Sequence, residues 1–282
     1  MTARTRIKEQ SPVLGEEKAC LLGLLAGDGG VYRRNPNEGG SHVNVFVGLD
    51  RQMGEVCVSL FDRVYGIEAQ IKELRPGQSR RTQVNYLVTC FSQDLVDDIL
   101  SVAPFGTMDW RIPSAVVEGN LSLQGSWLSG FFEADGGVIL ITDNGDRRVS
   151  ATSANLTGIK QVVSLLKGMD IEVGGSTRKA NIEKNTRESR QITITNRDNI
   201  EKFASWVGFC SSKKINKLRE VIDSYAQDDD STFKSFLESR LSGKNVPESI
   251  PLAGIKDEEA LKVFLSQRSA KGHRDHRGDK VR

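Results

Sequence analysis

Two carboxylates occupy matching places in this chain. Asp28 closes the stretch Leu21-Leu22-Gly23-Leu24-Leu25-Ala26-Gly27-Asp28 and Asp135 closes Leu128-Ser129-Gly130-Phe131-Phe132-Glu133-Ala134-Asp135. Each is followed by Gly-Gly and a strand-like run, Val31-Tyr32 in one copy and Val138 to Ile141 in the other, and the two Asp lie 107 positions apart. A carboxylate at the C-terminal end of a helix faces the negative end of the dipole and is disfavoured by roughly 0.3–1 kcal/mol. Two such groups brought to one point raise each other's pKa unless something offsets them. A divalent cation is the natural offset, and oxygen-only ligands suit Mg²⁺. A lone Asp-Gly-Gly after an apolar run is ordinarily a helix stop or a turn. A costly arrangement written twice points to function.

The elements that must position these carboxylates follow from the same stretches. Gly23/Gly27 and Gly130/Ala134 are small residues four apart, so each copy presents a smooth helical stripe to which a second backbone can come close. The surrounding Leu and Phe predict helices buried on most sides. Gly29 and Gly136 are expected to stop these helices in the left-handed conformation.

Both stretches resemble the LAGLIDADG (dodecapeptide) motif of homing endonucleases. The first keeps Gly23, Leu24, Asp28 and Gly29; the second keeps Leu128, Gly130, Ala134, Asp135 and Gly136. Trp110-Arg111-Ile112-Pro113-Ser114 is similar to the linker of double-motif members, and the resemblance covers about residues 13–225. It implies a monomeric nuclease that cuts both strands of a long, asymmetric DNA site. Its metal would be Mg²⁺, with Mn²⁺ as a substitute, at Asp28 and Asp135 with their neighbours Gly27 and Ala134. The motif's earlier acidic position, Ala26 in one copy and Glu133 in the other, is not the catalytic one. The resemblance also points to an active-site cation. Lys213 and Lys214 are the candidates after the second repeat, and Arg111 is the basic candidate after the first. An RNA maturase, or a DNA-binding protein of the same fold that has lost cleavage, is the alternative. Retention of both Asp favours the nuclease.

Length and composition fit. The chain has 282 residues, 27% charged and 6% aromatic, as expected of one or two soluble globular domains. Its apolar runs are short of the ~20 residues of a membrane span, and residues 1–10 lack an export signal core. An intracellular protein, cytoplasmic or nucleoid-associated, is expected. Cys20, Cys57, Cys90 and Cys210 are widely spaced, which suggests free buried thiols. Net charge is only +2, low for a DNA binder, but its distribution matters more than its sum. Residues 13–119 carry ten basic and fourteen acidic side chains, residues 120–223 fifteen and twelve.

Period and turn chemistry predict, in each half, helix, two strands, helix, two strands, helix. The first half has helices over 16–27, 51–65 and 93–103 and strands over 31–34, 42–49, 69–74 and 84–91. The second has helices over 126–134, 157–169 and 197–207 and strands over 138–142, 148–154, 172–178 and 191–195; another helix spans 212–225. The fold class is α+β: two pseudo-symmetric αββαββα repeats, each with a curved antiparallel four-stranded sheet, packed through the motif helices. The expected organisation is a leader (1–12), a first repeat (13–109), a linker (110–125), a second repeat (126–227) and a C-terminal extension (228–282) with helices at 232–241 and 257–266. The family binds DNA with its sheets, and basic residues gather in the strands and turns here. They are Arg33, Arg34, Arg75, Arg80 and Arg81 in the first half, and Arg147, Arg148, Arg178, Lys179, Lys184, Arg187 and Arg190 in the second. Asn44, Gln83, Asn85, Ser153, Asn155 and Gln191 are polar side chains among them suited to reading bases.

Overall fold

A computed structural model describes residues 13–33, 40–76, 82–141, 146–180 and 187–226. The leader, Arg34, Arg80, Arg81, Lys184 and the two C-terminal helices expected at 232–241 and 257–266 lie outside the described residues.

The first repeat runs α1 (Glu16–Asp28), β1 (Gly29–Tyr32), β2 (His42–Gly48), α2 (Arg51–Tyr65), β3 (Gln70–Leu74), β4 (Asn85–Phe91) and α3 (Gln93–Val102). After the short α4 (Ser114–Val117), the second repeats that order. It comprises α5 (Leu121–Asp135), β5 (Gly136–Ile141), β6 (Asp146–Ser153), α6 (Leu156–Gly168), β7 (Gly174–Arg178), β8 (Ser189–Ile194) and α7 (Arg197–Trp206). The chain then enters α8 (Ser212–Ala226). Each repeat holds one antiparallel sheet, ordered β1-β2-β4-β3 and β5-β6-β8-β7.

Local chemistry sets the helix starts. Asp50, Ser92, Asn120 and Asn155 each accept a backbone N–H from three residues on, at 3.0, 3.2, 2.9 and 2.9 Å. Gly66 ends α2 in the left-handed conformation, φ 66°, with its N–H on the Asp62 carbonyl. The cap at Asn120 corrects one boundary: α5 begins at Leu121, so part of the expected linker is helix. Gly125 lies inside α5. A Cβ there would stand 2.0 Å from the Trp206 carbonyl oxygen, so glycine is needed for close packing.

The two long motif helices form the centre. Lys18 to Ala26 of α1 and Gly125 to Glu133 of α5 are buried. The contact is pseudo-twofold. An ideal Cβ on Gly23 would meet the Trp127 carbonyl oxygen at 2.0 Å, and one on Gly130 would meet the Cys20 carbonyl oxygen at 2.0 Å. Any side chain at either point would push the helices apart. Lys18, buried among apolar residues, is neutralised by Asp98 at 2.8 Å, which also accepts from the Tyr65 hydroxyl at 2.8 Å. Each sheet packs one face on the helices. Val43, Val45, Val88 and Cys90 are buried in the first and Val149, Ala151, Ile192 and Ile194 in the second. Strand alternation leaves the opposite face of each sheet open.

Candidate active site

Asp28 is the last residue of α1 and Asp135 the last of α5. The glycines after them do not adopt the expected left-handed turn. Gly29 (φ −98°, ψ 162°) and Gly136 (φ −105°, ψ 169°) are extended and begin the strands at once. Glycine is required for a different reason. A Cβ at Gly29 would come 2.3 Å from Leu25 Cα, and one at Gly136 would come 2.4 Å from the Phe132 carbonyl oxygen. The chain folds so tightly from helix into strand that the carboxylate is left at the junction, between the helix pair and the open sheet face.

The two junctions meet. An ideal Cβ at Gly27 would lie 2.4 Å from Ala134 Cβ and 3.4 Å from the carboxyl carbon of Asp135. Asp28 is open on its outer side, yet loss of water on its inner side lifts its carboxyl from 3.8 to about 6, against the pull of Lys214. Desolvation, then the negative charge of Asp28, lifts Asp135 from 3.8 to about 7, again with Lys214 opposing.

Lys214, in the first turns of α8, lies across the C-terminal end of α5. Its ammonium donates to the carbonyl oxygens of Gly136 at 2.9 Å, Phe132 at 3.4 Å and Glu133, with the Glu133 carboxylate at 3.7 Å. Orphan carbonyls of a helix end attract a cation in this way. Of the two lysines expected here, Lys214 is therefore the one beside the Asp pair, while Lys213 is exposed. Arg111 is used elsewhere. Its guanidinium donates to the carbonyl oxygens of Asp109 and Trp110 and to Asn155 Oδ1, at 3.1, 2.9 and 3.5 Å, pinning the linker to the start of α6.

Two contributors were missed from sequence. Glu133, buried, accepts from the backbone N–H of Cys210 at 2.8 Å and Ser211 at 2.9 Å, so it caps α8 and aims Lys214. An acid inside an apolar run, where the first repeat has Ala26, was the available signal. Gln52, in the first turn of α2, accepts from Ser212 Oγ at 2.8 Å and ties the first repeat to α8. The four thiols are free and buried, with Cys20 Sγ 3.3 Å from Cys210 Sγ beneath that junction.

The expected DNA-contacting residues divide by sheet face. Arg148, Arg178 and Gln191 lie on the open face of the second sheet, Arg148 with Asp146 at 3.3 Å. Lys179 and Arg187 are exposed where β7 and β8 meet their connecting loop. Asn44 and Asn85 share the open face of the first sheet, Asn85 bonding the carbonyl of the exposed Gln83 at 2.8 Å. Other residues are placed differently. Arg147 is on the helix side, donating to Ser224 Oγ at 2.6 Å and to the Ser224 carbonyl at 3.2 Å, with its guanidinium 4.7 Å from the Tyr225 ring centre. Adjacent strand residues point to opposite faces, so Arg147 and Arg148 cannot both serve the open one. Ser153 and Arg190 share the helix-side register of Ala151 and Ile192, and Ser153 accepts from Asn155 N–H. Asn155 itself is buried, donating to the Trp110 carbonyl at 2.7 Å. Arg33 pairs with Asp97 of α3, and Arg75 lies 4.0 Å from Glu73 just beyond the end of β3.

Fold and site together define a single chain of two αββαββα repeats with one acidic centre shared between them. Residues 122–208 match the family described as LAGLIDADG-like domain. The homing endonuclease I-WcaI, in a structure bound to its DNA recognition sequence, superposes with a TM-score of 0.51 at 15% identity. That match covers 73% of this chain and 87% of that one. I-DmoI in complex with DNA and Mn gives 0.46 at 16% identity, over 67% and 94% of the two chains. Full-length WhiA from Thermatoga maritima gives 0.47 at 11% identity, over 80% and 66%. No curated protein sequence matches the chain. The match to a LAGLIDADG-like domain covers the second repeat, and the fold of the chain, two αββαββα repeats, is that of I-WcaI.

Proposed function

We propose that this protein is a site-specific double-strand DNA endonuclease that hydrolyses phosphodiester bonds with the help of a divalent cation. The observation that carries the reading is the meeting of Asp28 and Asp135 at the foot of the α1–α5 pair, both with carboxyl groups pushed up by their surroundings.

The donor set fits a hard cation. Among the described residues no cluster of three or more His, Cys, Asp or Glu forms a closed metal cage. The junction offers two carboxylates, to which the main-chain carbonyl oxygens of Gly27 and Ala134 would add, so that every donor is oxygen. Mg²⁺ is suited to such a partial set because it keeps several of its waters, and Mn²⁺ accepts the same donors. When bound, the ion would polarise the phosphate and make a water nucleophilic near neutral pH. The chain's own residues have separate tasks. Asp28 and Asp135 hold and orient the charge from two helices whose spacing is set by Gly23 and Gly130. Lys214 adds positive potential beside the scissile phosphate, and Glu133 keeps it there. The open sheet faces, one per repeat, lay out the two half-sites. One chain supplies both halves, so a monomer acts alone, on DNA inside the cell. No helix among the described residues is long and apolar enough to cross a membrane.

The test is selection of duplexes from a randomised library in Ca²⁺, then exchange into Mg²⁺. Binding followed by cutting of both strands is expected. Binding with no cutting in Mg²⁺ or Mn²⁺ would leave a DNA-binding protein of this fold and refute the nuclease.

A further inference from the structure

Among the described residues, the open face of the first sheet carries more apolar than cationic side chains, with Lys72 beside Leu87 as its basic member. Three aromatic rings run in a row across β1, β2 and β4. Tyr32 stacks on His42 with centroids 4.8 Å apart and planes at 18°, and His42 lies 5.4 Å from Phe91. Tyr32 is 47% and Phe91 58% exposed. Further along the same face Phe46 stands opposite Leu87. The row is continuous with the active site. Gly30 follows Asp28 by two residues, and the Tyr32 ring lies back over it, within 2.6 Å of where a Cβ would be. Contiguous apolar surface held open in water marks a binding face. The second sheet differs: Ile139 and Ile141 also face outward there, but Arg148, Arg178 and Gln191 stand beside them and make that face more polar and cationic.

We propose that the first sheet reads its half-site through apolar contact with thymine methyl groups, and so selects an A·T-rich half-site, while the second sheet reads polar base edges. This rests on the DNA-cleaving function proposed above. In the major groove the thymine C5-methyl is the apolar feature of the base edges, and aromatic or aliphatic side chains are its partners. Asn44 sits between His42 and Phe46 on this face, and its side-chain oxygen is buried with no hydrogen-bond partner among the described residues. Once turned outward, an asparagine amide matches the N6 and N7 edge of adenine. The same face therefore suits both members of an A·T pair.

The experiment uses the full chain and the duplex recovered from the randomised library. Thymines are replaced by deoxyuridine in one half at a time, which removes methyl groups and leaves the protein untouched. In one half, each contacted methyl removed weakens binding about fourfold; in the other half the loss is smaller than twofold. A Phe46→Ala, Leu87→Ala protein binds the thymine and uracil duplexes alike in the sensitive half, which assigns that half to the first sheet. Equal affinity for thymine and uracil in both halves overturns the proposal, as does recovery of two G·C-rich half-sites. Self-association that Phe91→Ala abolishes would also overturn it, by assigning the face to a second copy of the chain. If no duplex is retained at all, the DNA reading itself fails. If duplexes are retained without methyl dependence, only the present inference falls.

Discussion

Removing the acid at Asp135 should stabilise the metal-free protein, and should do so more at alkaline than at acid pH. Unfolded, the carboxyls of Asp28 and Asp135 titrate near 3.8; folded, they titrate near 6 and 7. Between about pH 4 and pH 7 the folded state therefore binds more protons than the unfolded one, and stability falls as pH rises through that window. Above it the loss is complete. For Asp135 the upper limit is about 4 kcal/mol, from roughly 1.4 kcal/mol per pKa unit. The site is partly open to water, so screening reduces this to about 1–2 kcal/mol. Asp28 is exposed and adds in the same direction. At about 2–4 °C per kcal/mol for a fold of this size, Asp135→Asn should melt about 2–8 °C above the parent at pH 8 in EDTA. The difference should shrink towards pH 5. The opposite trend contributed by Asp97, whose carboxyl is lowered by Gln93 and Arg33, is common to both proteins and cancels. Mg²⁺ should raise the parent's melting temperature, more at pH 8 than at pH 5, because the cation needs the deprotonated pair. It should do little for the Asp28→Asn, Asp135→Asn protein. An Asp135→Asn protein that melts below the parent at pH 8 in EDTA would refute the reasoning.

Other outcomes follow from named contacts. Gly23→Ala or Gly130→Ala places a methyl 2.0 Å from a carbonyl oxygen of the facing helix and should cost about 1–3 kcal/mol in urea unfolding. Gly168→Ala, which meets nothing within 4 Å, should be neutral or stabilising. Glu133→Ala strips two N–H groups of their acceptor and should cost about 2–3 kcal/mol and lower kcat, with Glu133→Gln recovering part of both. Lys214→Met removes the charge that lowers both Asp pKa values, so the pH profile of metal-dependent cleavage should move to higher pH. Arg148→Ala should reduce the salt dependence of DNA binding by about one ion. Arg147→Ala should leave that slope unchanged and cost about 1 kcal/mol of stability, seen by thermal melting.

The carboxylate pair was legible because its signal is written twice, with the same small-residue spacing ahead of each Asp. The repeat order and most strand positions were legible for the same reason: alternation such as Val43, Val45 against His42, Asn44 states which face is inside. The glycines after each Asp were assigned a turn because Asp-Gly-Gly is locally a helix stop. What decides their conformation is the return of the chain onto its own helix at Leu25 and Phe132, a packing fact that local pattern does not carry. Lys213 and Lys214 are adjacent, and only the direction of α8 relative to α5 separates them. That direction depends on Glu133, whose role needs the chain to come back 77 residues later. Arg147 could have been set apart from Arg148 by strand parity, since Val149 and Ala151 lie on its side. The aromatic row on the first sheet was hidden for a related reason: Tyr32, His42 and Phe91 become neighbours only through the antiparallel register of β1, β2 and β4.

The claim that two helices from two repeats build one metal-dependent nuclease centre is tested most directly by strand-resolved cutting of the recovered target in Mg²⁺. The parent, Asp28→Asn and Asp135→Asn proteins are compared at equal occupancy of the DNA. The parent should sever both strands, and each single variant should bind the target as the parent does yet fail to produce the double-strand break. A break made at the parental rate by either variant would contradict the shared centre.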